Sequence, residues 1–199
     1  MRATREAPLL CGEVCNVTDD CGGGPKCGLC PLSRFLSDET HRLPEITEVA
    51  ANEIPQPQRR LLDHERDMTS TLEGFHGRRT SLRVLRQSTS DDVHHREVLL
   101  TLDGTDLAVE FGAISIQLAT LPALLRRDVL RADRPLGGLL HDHGVGYVSR
   151  PKAFIRVEAD ALFSRMLGLN APSTLYGRCN ALFTPDERIL ADIVEILPP

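Results

Sequence analysis

The spacing of apolar residues predicts three helices in the part of the chain after residue 45. Apolar side chains recur at helical intervals over residues 58–72, behind two prolines and before Gly74, where we expect this helix to end. Residues 121–130 and 159–167 show the same periodicity. The segment 134–138 contains a proline and two glycines, and is predicted to be a loop or the short entry of a helix.

Extended segments alternate with these helices. Strands are predicted over residues 81–85, 93–102, 107–116, 174–183 and 189–197. The Asp103–Gly104 dipeptide is a tight-turn signal between the second and third of them, and residues 184–187 form a turn between the last two. Two hairpins with helices between them predict an α+β domain on an antiparallel sheet.

The first 45 residues differ from the rest of the chain. They hold five of the six cysteines and a run of three glycines, with almost no apolar periodicity. We therefore expect a cysteine-rich appendage over residues 1–45, flexible or metal-binding, before a domain of residues 46–199. The five cysteines are Cys11, Cys15, Cys21, Cys27 and Cys30. Thiolates so close together can converge on zinc or an iron–sulfur cluster, and the alternative is a flexible tail with free thiols.

Composition and charge restrict the partners. The 199 residues are 41% hydrophobic and 26% charged, which is typical of a soluble globular protein. The formal net charge is −5, and neither the first 45 residues nor the remainder is basic, so we expect no nucleic-acid partner. Neither a membrane-length apolar run nor a secretory signal is evident, so the sequence predicts a cytoplasmic protein without a membrane partner.

Two charged residues stand within apolar strand patterns. Arg96 shares a strand face with Val98 and Leu100, and because the other face is also apolar, this strand is predicted to be covered on both sides. A buried arginine there would need an anionic partner, and a surface cation is the alternative. Glu195 interrupts the terminal apolar strand, where burial would raise its pKa toward that of a general acid. The alternative for Glu195 is the solvent face of an edge strand.

Several segments occur in an order and at intervals that together resemble a known family. They are Leu61-Leu62 with Met68 and Leu72-Glu73, Arg96 to Leu100, the Asp103–Gly104 turn, Leu121-Pro122, Pro135-Leu136-Gly137, Tyr176-Gly177-Arg178, and Val194 to Pro198. Over about residues 55–198 the chain resembles the chorismate lyase (chorismate pyruvate-lyase) family. Members of that family have an antiparallel sheet with helices packed on it, and helical flaps over an enclosed ligand site.

The resemblance also implies an activity and a set of site residues. A chorismate lyase eliminates pyruvate from chorismate to give 4-hydroxybenzoate, a step of aromatic compound biosynthesis that needs no cofactor. By position, the resemblance implies that Glu195 is the catalytic general acid and that Arg96 binds the substrate carboxylate. Met68, Leu136 and Arg178 are implied to complete the substrate and product site, with no metal in this domain. The expectation is a carbon–oxygen lyase whose partner is chorismate or a related anionic enolpyruvyl compound.

Other functions stay open. The same fold family contains non-catalytic modules that bind an effector and are attached to DNA-binding domains, so a sensor of small aromatic acids is one alternative. The short acidic head argues against the usual version, because it lacks a basic recognition helix. A lyase for a related enolpyruvyl substrate is another alternative. A third is a metal or redox switch in the cysteine-rich head that controls the domain.

Overall fold

The computed structural model describes residues 44–199, and in them seven strands form a single antiparallel sheet. The strands are β1 (Ile46–Val49), β2 (Thr80–Ser90), β3 (Val93–Leu102), β4 (Ala108–Gln117), β5 (Val148–Glu158), β6 (Thr174–Phe183) and β7 (Ile189–Leu197). Their order across the sheet is β1-β5-β6-β7-β4-β3-β2. The α+β class with an antiparallel sheet, predicted from the sequence, is confirmed.

Five α-helices accompany the sheet within residues 44–199. They are α1 (Gln58–Leu62), α2 (Met68–His76), α3 (Ala123–Arg131), α4 (Leu136–Asp142) and α5 (Ala161–Leu167), with short 3-10 turns at Ala51–Glu53 and Leu118–Thr120. The prediction of one helix over residues 58–72 is wrong. Asp67 caps a separate helix, α2, because its side chain accepts a hydrogen bond from the Ser70 backbone N–H at 2.8 Å. Gly74 lies inside α2, which ends instead at Gly77, where φ is +62°.

The predicted strands agree with β3, β6 and β7 over their full lengths and with β4 within a residue. Strand β2 is longer than predicted, and it reaches β3 through a tight turn at Asp91 and Asp92, which both have positive φ. Strands β1 and β5 were not predicted. In β5, Pro151 and Lys152 interrupt the apolar alternation, and the pairing with β6 shifts register at this point. The segment 134–138 contributes the start of α4.

The two faces of the sheet are built differently. Side chains alternate along a strand, so Arg96 and Val98 share one face of β3, whereas Glu97 and Leu99 share the other. Strand β3 is buried along nearly its whole length, so both faces are covered.

One face packs against α5 and forms a closed apolar core. Its members include Leu99, Phe111, Ala113, Ile155, Phe163, Cys179, Val194 and Ile196. Phe111 of β4 meets Phe163 of α5 edge-to-face, with ring centroids 5.0 Å apart. Full burial of each such aromatic side chain contributes about 1.5–3 kcal/mol to stability. This core fixes the position of the central strands.

The opposite face is apolar at its two ends and polar in the middle. Helices α3 and α4 cover one end through a cluster that includes Ile114, Leu125, Val129, Leu136, Leu140 and Leu190. Helices α1 and α2 cover the other end through a cluster that includes Leu61, Leu62, Met68, Leu72, Leu100 and Leu197. The polar stretch between these two clusters is where a ligand site is expected.

Some predictions concern residues outside those described. The candidate metal ligands Cys11, Cys15, Cys21, Cys27 and Cys30 all precede residue 44, so the metal-binding appendage stays a prediction. The boundary between residues 45 and 46 also stays a prediction. Within residues 44–199, no helix combines the length and apolar character needed to cross a membrane.

Candidate functional site

A cavity lies on the polar middle of the sheet, between the two apolar clusters. Strands β3, β4, β6 and β7 form its floor, while α2 contributes Met68 and α4 contributes Leu136 as its cover. The empty space, counted with the part open to solvent, is about 650 Å³. All five residues implied by the family resemblance line this one cavity: Met68, Arg96, Leu136, Arg178 and Glu195.

Cross-strand pairing arranges the cavity floor in rows. From one end to the other, the pairs of β3 with β4 are Arg96–Ile114, Val98–Gly112 and Leu100–Glu110. Successive rows are two residues apart, which is about 7 Å along a strand. Arg96 therefore lies toward the α3–α4 end and Glu110 toward the α1–α2 end. Gly112, in the row between them, contributes no side chain to the floor.

Arg178 and Glu195 form an ion pair within the cavity wall. Nε of Arg178 donates to Oε2 of Glu195, and the guanidinium is completely buried. Nη1 also donates to the backbone carbonyls of Leu62 at 3.1 Å and His64 at 2.7 Å, and Nη2 donates to that of Arg66 at 3.3 Å. Arg178 thus binds the segment between α1 and α2 to the sheet. Glu195 is the carboxylate that pairs with it.

Arg96 differs from Arg178, because no described carboxylate pairs with it. It is 2% exposed, its Nη1 donates to the backbone carbonyl of Arg134 at 3.3 Å, and its Nε has no hydrogen-bond partner. Burial lowers the pKa of Arg96 to about 10, so the guanidinium stays protonated at neutral pH. A buried cation without a counterion is strongly disfavoured unless an anion completes it.

Glu110 lines the same cavity, and the sequence analysis missed it. The side chain is buried, and its Oε2 has no hydrogen-bond partner among the described residues. Burial raises the pKa of Glu110 well above its usual range, and the nearby carboxylate of Glu195 raises it further. Burial and this neighbouring charge therefore both favour the protonated form of Glu110. Glu110 interrupts an apolar strand as Glu195 does, so the same sequence signal would have identified it.

Three further polar side chains line the cavity near β5. Tyr147 precedes this strand, and burial is the main cause that raises the pKa of its hydroxyl. Ser149 and Asn180 hydrogen-bond to each other, with Asn180 Nδ2 donating to Ser149 Oγ at 3.0 Å. The wall is thus supplied with neutral hydrogen-bonding groups, while Arg96 contributes a cation that no described carboxylate pairs with.

Comparison with known proteins gives structural relatives only. No protein-family model matches the chain, and no curated protein matches it. The effector domain of PhnF from Mycobacterium smegmatis is similar with a TM-score of 0.51 and 16% identity, over 66% of this chain and 87% of that chain. PhnF from the same organism has a TM-score of 0.52 and 14% identity, over 84% and 92% of the two chains. A GntR-family transcriptional regulator from Bacillus cereus has a TM-score of 0.43 and 12% identity, over 60% and 92%.

These comparisons correct the predicted activity. The prediction of a chorismate lyase is wrong, because the similar structures with TM-scores above 0.5 are PhnF and its effector domain rather than a lyase. The predictions of an enzyme of 4-hydroxybenzoate biosynthesis and of a general acid at Glu195 fall with it. The ion pair with Arg178 gives the physical reason, since it engages the carboxylate that was expected to supply the proton.

Two other expectations, on the nucleic-acid partner and on the fold, have different outcomes. The expectation of no nucleic-acid partner is not supported by the comparisons and stays a prediction. At the level of fold the family resemblance is right. The described residues adopt a chorismate lyase-like fold, with an antiparallel sheet and helices over a cavity.

Proposed function

We propose that the described domain is a non-catalytic module that binds a small organic acid, with Arg96 as the group that binds the acid's carboxylate. The unpaired charge of Arg96 is the observation that carries this proposal. Its guanidinium keeps free donors inside a cavity, and a carboxylate can accept two parallel hydrogen bonds from such a group. The ligand would then supply the counterion that the described residues do not.

The rest of the cavity is suited to an apolar group of the ligand. Val98 and Ile114 form the floor beside Arg96, and Met68 and Leu136 cover it, so a ring or a short branched chain would bury apolar surface there. Apolar burial contributes about 25 cal/mol per Å². An aromatic carboxylate has both an apolar ring and an anionic group, and it is the ligand class that we propose.

A sensing role follows from the position of the cavity. Leu136 begins α4 and Met68 begins α2, and the two helices belong to separate apolar clusters. A ligand that contacts both residues would bridge the two clusters and would favour the arrangement in which both helices cover the cavity. The likeness of the fold to the effector domain of PhnF supports this role.

Calorimetric titration with benzoate tests the proposal. We expect saturable binding to the wild type and a loss of at least about 30-fold in affinity for Arg96→Met, because truncating one side of a buried charge pair typically costs 2 kcal/mol or more. Arg83→Met is the matched control, since Arg83 lies exposed on the neighbouring strand β2, and it should bind benzoate like the wild type.

Two results would contradict the proposal. One is equal affinity of Arg96→Met and the wild type for benzoate, and the other is no binding of benzoate by the wild type. In a parallel incubation with chorismate, pyruvate should form no faster than in the absence of protein.

A further inference from the structure

We propose that Glu110 determines ligand specificity by donating a hydrogen bond, as a neutral carboxylic acid, to an acceptor at the end of the ligand distant from Arg96. The ligand class is then a compact acid with its carboxylate at one end and a carbonyl, ether or similar acceptor oxygen at the other. This inference rests on the proposed function, because it requires an acid bound at Arg96.

The register of β3 and β4 places the two groups at opposite ends of one floor. Arg96 and Glu110 are separated by two rows, about 13 Å between Cα atoms along the strands, and their side chains share the same face. Between them Gly112 contributes no side chain, and the added Cβ of an alanine there would lie 3.2 Å from Glu110 Oε1. The space above Gly112 is therefore directly bounded by the Glu110 carboxyl group.

The charges around Glu110 disfavour its ionised form. The charged groups that act on it are Glu195 of β7, Arg178 of β6 and Asp67 before α2. Arg178 is the only cation among these three, and it is already paired with Glu195 and with backbone carbonyls. An ionised Glu110 would thus add a second buried carboxylate beside Glu195 without a cation of its own. Burial and this repulsion raise its pKa well above the usual range.

The protonation state of Glu110 decides which ligands the cavity selects. A neutral carboxylic acid has an O–H that needs an acceptor, and Oε2 of Glu110 has no partner among the described residues. An ionised carboxylate would instead select a ligand with an ammonium group. The two states therefore predict opposite rankings of ligands that differ only at the far end.

Three benzoates distinguish these rankings in calorimetric titrations of the full chain at pH 7. The probes are benzoate, 4-acetylbenzoate, which adds an acceptor, and 4-(aminomethyl)benzoate, which adds a cation. We expect 4-acetylbenzoate to bind the wild type about tenfold more tightly than benzoate, the effect of one well-formed hydrogen bond. Glu110→Leu should bind the two equally, and Glu110→Gln should keep most of the preference because its amide also donates.

Glu97→Gln is the matched control, since Glu97 is a buried glutamate on the opposite face of the sheet and its substitution should leave the ranking unchanged. A preference for 4-(aminomethyl)benzoate, or an acceptor preference that persists in Glu110→Leu, would overturn the inference while Arg96-dependent binding of benzoate stands. Absence of Arg96-dependent binding for all three probes would instead refute the proposed function, and this inference with it. If Glu110→Leu does not fold, the wild-type ranking and Glu110→Gln decide.

Discussion

Glu195 lies directly across from Arg178 in the pairing of β7 with β6, and the two side chains form an ion pair with no exposure of the arginine. The pair neutralises two charges that would otherwise both face the cavity. Arg178 also donates to three backbone carbonyls, one at the last residue of α1 and two between α1 and α2, so the pair has a structural role. Arg96, on β3 and two strands away from Glu195, is left as the cation available to a ligand.

Removal of Arg178 should therefore destabilise the protein strongly. Arg178→Met leaves Glu195 as an uncompensated buried charge, and we expect a loss of about 3–5 kcal/mol in the free energy of unfolding, measured in urea. Arg150→Met is the control, because Arg150 forms an exposed pair with Glu187 and its substitution should leave the free energy of unfolding almost unchanged. Similar losses for the two variants would contradict the structural role of Arg178.

The empty centre of the cavity floor should be sensitive to a single methyl group. In Gly112→Ala the added Cβ would lie 3.1 Å from Val98 Cγ2 and occupy space assigned to the ligand. We expect benzoate affinity to fall about tenfold, which is 1.4 kcal/mol, with a smaller change in stability. Gly74→Ala, where nothing lies within 4 Å of the added Cβ, should bind benzoate normally. Unchanged affinity in Gly112→Ala would place the ligand elsewhere.

Glu97, on the face away from the cavity, should make stability depend on pH. Burial raises its pKa to about 6, from an unfolded value near 4.5, while Arg86 lowers it. The folded state thus holds the proton more tightly, and the stability that this adds is complete below about pH 4.5 and is lost as the pH rises through about 6. Glu97→Gln should therefore exceed the wild type in stability by about 2 kcal/mol at pH 8 and match it near pH 4.5. A pH-independent difference would refute this explanation.

A substitution in the closed core should lower the stability of the protein without weakening its binding of the ligand. Phe163→Ala removes the ring that packs on Phe111, and we expect it to lower the free energy of unfolding by about 3–5 kcal/mol. Its affinity for benzoate should stay within about twofold of the wild type at temperatures where it is folded, a change below about 0.5 kcal/mol. The control is Phe75→Ala, an exposed position on α2 that should change stability little. Lost binding in folded Phe163→Ala would show that the two faces are coupled.

The sequence predicts the sheet better than the helices. Strands β3, β6 and β7 are rich in apolar residues, and their ends coincide with the predicted ones. Residues 58–72 carry continuous helical periodicity, but the local hydrogen bond of Asp67 begins a new helix there. Strand β5 escapes prediction because Pro151 and Lys152 interrupt its pattern, and its pairing depends on contacts that are distant in sequence.

The residues that line the site can be predicted from the sequence, but which of its charged groups are paired cannot. Met68, Arg96, Leu136, Arg178 and Glu195 were all assigned to one site, and all five line the cavity. Which arginine is paired follows only from register, since β6 and β7 set Arg178 opposite Glu195. A general acid was expected where the structure has an ion pair. The carboxyl group of the cavity whose pKa is raised, Glu110, lies on another strand.

The most direct test of the central claim is a crystal structure of the protein with 4-bromobenzoate, in which anomalous scattering from bromine fixes the direction of the ligand. We expect the carboxylate within about 3.2 Å of the Arg96 guanidinium, a hydrogen-bond distance. The bromine should lie beyond Gly112 on the side of Glu110. A carboxylate bound at Arg178, or a ligand outside the cavity of β3, β4, β6 and β7, would contradict the account.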